Sequence, residues 1–388
     1  MKSFPKLVQP ELNQQVQNDA LQKAALPDGL IDFASNHYLG FSKSEIIFKN
    51  TGKYLIKNKL IEKAATGDRF LSGNQQLYRE TETFIANFHQ TEAASIFNSG
   101  RDASFSFFSA VPQKGDLILY DELCYESIYD AIQLSNAKAF KFNHNDFEDL
   151  ESLIQNHRPK TQDPIRIYIV TESVFSMDGD CPNLEELVRV SDKYHCYLVV
   201  DESHALGVFG SKGEGFVQML ALHEQIFARI LTFENALGCQ GAAILGSVQL
   251  KDCLVNLAQN FKYVRGLSPH DVATVLTAYN NLDSENKDIA ALRKNIIHFN
   301  QEKNMLGLKQ LFVHSKSAIQ SAIIPGNANV TSIAQKLQEK GFDVKAILSP
   351  MVPEGQERLR FCLHSFNSKE EISEVLRLLS VFLFSPQM

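Results

Sequence analysis

The chain has 388 residues, with 38 Lys or Arg against 45 Asp or Glu and a net charge of −7. Apolar residues make up 44% and charged residues 21%, ordinary globular usage that buries a core without disulfide or metal staples. No Lys- or Arg-rich block stands out, which disfavours nucleic-acid binding and leaves room only for a local basic pocket.

Met1 to Asn18 is polar and lacks the apolar segment of a signal peptide. Ser95 to Asn98 reads as a strand, and Ser99-Gly100 then opens a helix that runs through Val111. Asp116 to Tyr120 is a second strand ending in Asp121, Ala137 to Phe142 a third, and Ile165 to Val170 a fourth. Asn183 caps a helix, with Glu186 three residues on as its capping-box partner. Tyr197 to Val200 is a buried strand ending in Asp201, and Ala228 to Phe233 and Ala242 to Leu245 are two more. After Asp283 the texture changes: a helical stretch, Ile289 to Leu308, leads into a smaller α/β segment. Leu378 to Phe384 is too short to span a bilayer.

Short strands alternating with helices predict a three-layer α/β/α domain with a mostly parallel sheet. The expected division is an N-terminal arm over 1–35, a large domain over 36–280 and a small C-terminal α/β domain over 281–388. The six cysteines form no C-x-x-C pair and no zinc-like spacing with His. They read as reduced thiols, and no metal site is expected. A soluble, cytoplasmic protein without a membrane partner follows.

Polar residues collect where the strands end, which is where such sheets carry their sites. Asp201-Glu-Ser-His204 offers a carboxylate for a cationic ring nitrogen and a His beside it. Taken alone, a helix cap and a core histidine are the commoner reading. Glu172 to Asp180 has the composition of a turn. Ser99-Gly100 places free amides at a helix start, as phosphate cradles do and as many ordinary strand–helix turns also do. Arg360, in Glu357-Arg-Leu-Arg-Phe361, is a candidate carboxylate clamp, or a surface arginine beside a strand.

In this order the segments resemble the α-oxoamine synthases, pyridoxal-phosphate enzymes of the aspartate-aminotransferase fold (type I), and among them the 8-amino-7-oxononanoate synthases of biotin synthesis. The resemblance runs from about Ile31 to Phe366. It is carried by Ile31-Asp-Phe-Ala-Ser-Asn-His-Tyr-Leu-Gly40, Gly67-Asp-Arg-Phe-Leu-Ser-Gly-Asn74, Gly115 to Glu122, Ser176-Met-Asp-Gly-Asp180, Asp201 to His204 and Gly355 to Arg360. Such enzymes join an amino acid to an acyl-CoA. The resemblance implies that Asp201 pairs with the pyridinium nitrogen and His204 with the ring's phenolic oxygen. The amides after Ser99-Gly100, with Thr232, would hold the phosphate. Glu172 and Ser176 would line the ring's polar edge, and Asn36 and Arg360 would receive the amino acid's carboxylate.

The family's Schiff-base lysine falls, by the flanking Thr232 and Ala236-Leu-Gly238, on Asn235. An amide is neither nucleophile nor base at neutral pH. Around it Glu234 replaces a small residue, Tyr125 the ring-stacking His, and His37 an Asp. Val264 and Arg265 replace the hydroxyl pair that reaches the phosphate from the neighbouring subunit. Arg265 and Arg101 would still offer cations to a phosphate. The expectation is a former synthase that binds pyridoxal phosphate without a covalent bond, if at all. It would assemble as a homodimer or with a lysine-bearing paralogue. The alternatives are a working enzyme with another base and a ligand-free structural dimer.

Overall fold

The computed structural model describes residues 29–157, 165–283 and 286–384. The expectations for Met1 to Asn18, and most of the 1–35 arm, lie outside the described residues.

Seven strands form the main sheet: β2 (Ala93–Phe97), β3 (Leu117–Asp121), β4 (Lys138–Phe142), β5 (Ile167–Glu172), β6 (Tyr197–Asp201), β7 (Ala228–Thr232) and β8 (Ala242–Gly246). Their order is β2-β8-β7-β6-β5-β3-β4. β4, β3, β5, β6 and β7 run parallel, and β8 is antiparallel to both its neighbours. β3 and β5 are buried along their whole length, as strands covered on both faces must be. Period-two alternation splits their side chains between two apolar layers. Ile118, Val170, Val199 and Ile230 meet Phe107 and Ile128 on one face. Leu119, Ile169, Leu198 and Val200 meet Leu150, Leu184 and Leu187 on the other. The expected three-layer class is what the chain adopts.

Most boundaries move by a residue or two. β5 starts at Ile167 and runs on to Glu172, and β6 takes in Asp201. Asn183 does cap its helix, accepting the Glu186 N–H at 3.1 Å. The reciprocal half of the capping box is absent among the described residues, because the Glu186 carboxylate pairs with Arg189 instead.

The chain then passes through helices Pro269–Asp283 and Lys287–Met305 into a three-stranded antiparallel sheet, β11 (Lys345–Ile347)-β12 (Arg358–Cys362)-β9 (Ile319–Ile323). Residue 280 falls inside the first of these helices. A short β1 (Ile31–Asp32) pairs in parallel with β10 (Phe342–Asp343), so the start of the described chain is tied to its C-terminal third. Leu378 and Leu379, in the helix Lys369–Phe384, are packed in the core, and no described helix is long and apolar enough to cross a membrane. All six cysteines are free.

Candidate active site

β3, β5, β6 and β7 end on one side of the sheet at Asp121, Glu172, Asp201 and Thr232. A cavity of about 470 Å³ opens there. Of the thirteen residues given a catalytic or binding role from the sequence, twelve line it and Arg265 does not; of the further replacements noted there, Glu234 lines it and His37 and Val264 do not.

One end receives anions. Ser99 caps the helix Gly100–Ala110 by accepting the Asp102 N–H at 3.1 Å. The amides of Gly100 and Arg101 find no acceptor among the described residues, so the helix N-terminus faces the cavity with free donors. Gly100 is required here. A Cβ on it would lie 2.5 Å from the Thr232 methyl group, closer than such atoms approach. Arg101 reaches the cavity, but its guanidinium is held by Asp130 at 2.8 Å.

The floor is acidic. Glu172 and Asp201 are register partners on adjacent strands. Glu172 accepts the backbone N–H groups of Tyr125 and of Ser176, the latter at 3.2 Å. Asp201 accepts that of Ser203 at 2.7 Å. Among the described residues neither carboxylate has a cation in salt-bridge reach. Burial therefore pushes Asp201 up to about 6. Burial and the Asp201 charge hold Glu172 well above the usual carboxylate range.

His204 is fixed by Tyr38, whose hydroxyl lies 2.7 Å from Nδ1. Burial raises the Tyr38 phenol far above its ordinary value, so it stays protonated and donates. Burial and the Arg360 charge drop His204 to about 3. The imidazole is thus neutral, and a Tyr38 hydroxyl that donates to Nδ1 leaves the ring proton on Nε2. Asn235 sits beside it. Its amide donates to the Ser203 carbonyl at 2.8 Å and lies 3.5 Å from His204 Nδ1 and 3.4 Å from Thr232 Oγ1. Arg360 is half-buried and unpaired by any described carboxylate; it donates to the Ser176 carbonyl at 2.8 Å and to Asn36 Oδ1 at 3.0 Å.

Arg265 lies elsewhere in its own chain. It borders a small cleft with Arg69 and Phe261, and its carbonyl accepts from Asn98 at 2.6 Å. The residues missed in the sequence are Tyr38, Glu126, Ser127, Met177, Ser203 and Ile347. Tyr38 and Ser203 sit inside segments flagged as motifs, but which neighbour orients His204 or Asn235 depends on long-range packing. Arg358 shares a strand face with Arg360 at period two and ion-pairs with Asp178.

The arrangement fits pyridoxal phosphate on these observations: free helix amides for the phosphate, and a buried carboxylate pair lacking a cation for the ring nitrogen. The fold is that of the pyridoxal-phosphate enzymes of fold type I. Residues 28–379 match the model for aminotransferase class I and II, and the chain belongs to that family. It is 34% identical over 379 residues to the 8-amino-7-oxononanoate synthase of Emericella nidulans, covering 92% of this chain and 90% of that protein. The same-named protein of Thermosipho melanesiensis is 33% identical over 347 residues, with 89% and 86% covered. The crystal structure of 8-amino-7-oxononanoate synthase from Francisella tularensis superposes with a TM-score of 0.77 at 26% identity, over 92% of this chain and 98% of that one. Serine palmitoyltransferase of Sphingomonas wittichii shares the fold with a TM-score of 0.88 over 98% of both chains, at 24% identity. Within the aminotransferase class, the chain belongs to the α-oxoamine synthases.

Proposed function

We propose that this chain is an α-oxoamine synthase homologue that binds pyridoxal phosphate non-covalently and has lost the imine chemistry of its family. One observation carries the reading. No lysine is among the residues lining the cavity, and the Asn235 amide that stands in its place is engaged by the Ser203 carbonyl. When bound, the cofactor would supply an electron sink for a carbanion at the amino acid's α-carbon. The protein's own part would be to hold it. The Gly100 and Arg101 amides and Thr232 would receive the phosphate, Asp201 the ring nitrogen, and His204 Nε2–H the phenolic oxygen. Tyr125, half exposed at the rim, would stack on the ring. Arg360 and Asn36 would take a substrate carboxylate. With its proton affinity lowered to about 3 and its ring held by Tyr38, His204 is a poor substitute for the lysine's base, and the carboxylate left beside Asn235 in the cavity is Glu234.

The domain division near 280 and a cytoplasmic homodimer belong to the same proposal. Exposed Phe70, Leu71 and Tyr263 flank the segment that carries Arg265, which supports a partner covering that face and receiving Arg265 at its own cavity. A lysine-bearing paralogue would serve equally as that partner.

The test is borohydride reduction after incubation with pyridoxal phosphate, beside an assay of acyl-CoA-dependent release of free CoA with glycine, alanine and serine. The expected result is a chromophore removable by dialysis, no cofactor mass on the Asn235 peptide and no CoA release. Turnover above about one per second, an ordinary enzymatic rate, would overturn the reading.

A further inference from the structure

His144 follows β4 and lies outside the cavity lining, yet both its ring nitrogens are committed. Nδ1 lies 2.8 Å from Asp121 Oδ1 and Nε2 lies 2.9 Å from Asp180 Oδ2. A carboxylate only accepts at neutral pH, so both contacts are met with a proton on each nitrogen; the Asn145 amide nitrogen, 3.0 Å from Nε2, then turns its hydrogens to Asp180. Asp121 closes β3 and is fully buried; Asp180 closes the loop that begins at Glu172. The other Asp180 oxygen is buried without a hydrogen-bond partner among the described residues, which leaves its charge to His144 and to the Asn145 amide at 3.0 Å.

The loop from Glu172 to Asp180 is the one that supplies Glu172, Ser176 and Met177 to the cavity. It closes on itself through Phe175 N–H to the Asp180 carbonyl at 3.0 Å and Gly179 N–H to the Phe175 carbonyl at 2.8 Å. The C-terminal sheet grips one side of it. There Arg358 pairs with Asp178, and Ser321 donates to the Met177 carbonyl at 2.5 Å. On the other side the contacts come from the Asn145 amide and from His144, whose ring also meets the Phe175 ring edge-on at 4.4 Å between centroids.

We infer that His144, as an imidazolium shared by Asp121 and Asp180, is a positioning residue that fixes the Glu172–Asp180 loop, and with it Glu172 and Ser176, against the cavity. The inference deepens the proposed function, since it rests on reading that cavity as the ligand site. Burial pulls the ring's proton affinity down, and the two carboxylates outweigh it and leave the ring at about 9. The other charged groups facing it are Glu122, which accepts the His144 backbone N–H at 3.2 Å, and Lys141, which reaches Glu122 at 3.7 Å. A neutral ring keeps one carboxylate and releases the other.

The test uses the full chain and the variants His144→Gln and His144→Arg. Without ligand at pH 7, the 173–181 amides of His144→Gln should exchange about tenfold faster, while those of β7 stay unchanged. His144→Arg, a cation that bridges two carboxylates, should restore most of the protection. By NMR the ring in the unmodified protein should titrate well above the ordinary 6.5, a signature that a packing role alone does not produce. Pyridoxal phosphate affinity should fall about tenfold in His144→Gln and recover in His144→Arg. Unchanged loop exchange in His144→Gln, or a ring titrating at or below 6.5, overturns the inference. If His144→Gln does not fold, the ring titration of the unmodified protein decides. Loop exchange that follows the variants in a protein that takes up no pyridoxal phosphate leaves the positioning role standing and overturns the ligand reading alone.

Discussion

Replacing Asp201 by Asn should stabilise the ligand-free protein, because the site holds that carboxylate at a cost. Asp201 ends β6 beside Glu172, without a cation in reach among the described residues, and its folded value is about 6 against 3.8 for the free side chain. At about 1.4 kcal/mol per pH unit, that difference corresponds to about 3 kcal/mol. The open cavity screens the charge and Glu172 shares the titration, so about 1–2 kcal/mol is expected. The sign follows from linkage. The unfolded chain holds the proton less tightly, so the penalty is absent below about pH 4, grows as pH rises towards 6 and is complete above it. Asn at this position still accepts the Ser203 N–H. Urea denaturation should therefore show Asp201→Asn more stable than the unmodified protein at pH 8, with the difference gone near pH 4. Ligand-induced stabilisation by pyridoxal phosphate should shrink in the same variant, because the ring nitrogen loses its counter-charge. A variant less stable at pH 8, or a difference independent of pH, would refute the reasoning.

Arg229→Met should cost about 3–5 kcal/mol in chemical denaturation, because Glu202 is fully buried against that guanidinium and would be left unpaired; a loss under about 1 kcal/mol would contradict this. Gly100→Ala should cost about 1–3 kcal/mol, since its Cβ runs into the Thr232 methyl group, and Thr232→Ser, which removes that methyl, should recover much of the loss in the double variant. Asn235→Lys should give a borohydride-stable link to pyridoxal phosphate at residue 235 that the unmodified chain lacks, read by peptide mass; no link would mean that Glu234 and Tyr125 have altered the pocket beyond repair by one residue.

The sheet was legible because its signals are local. Apolar runs such as Leu117–Tyr120 and Leu198–Val200 are buried on both faces, and the strand that carries each ends in a polar residue that the topology brings to one edge. Ser99, Glu172, Asp201 and His204 could be listed for the same reason, since strand ends converge whatever the loops do, whereas Asn36, Tyr125, Thr232, Asn235 and Arg360 were placed in the site by the resemblance. Partnerships were not legible. That Arg101 turns to Asp130, Glu186 to Arg189, and Tyr38 to His204 is decided by side chains distant in sequence or by competition between near neighbours. Arg265 illustrates the limit from the other side. Its segment was expected to act across a subunit boundary, and within its own chain it stands apart from the cavity, so a single chain places it without assigning its target.

The chemistry of the cavity argues against a merely structural role for it. Structural buried acids are normally neutralised within the fold, as Glu202 is by Arg229 and Glu82 by Arg69 and Lys251. Asp201 and Glu172 are not, and they face the free amides of a helix start across a space of about 470 Å³. Arg360 is the converse case, a half-buried guanidinium that donates to carbonyl oxygens and is left without a carboxylate among the described residues. One molecule carrying a phosphate, a ring cation and a carboxylate partner would answer all three at once. Folding alone requires none of these groups to be unpaired. The groups around Asn235 thus carry the charges of a binding pocket.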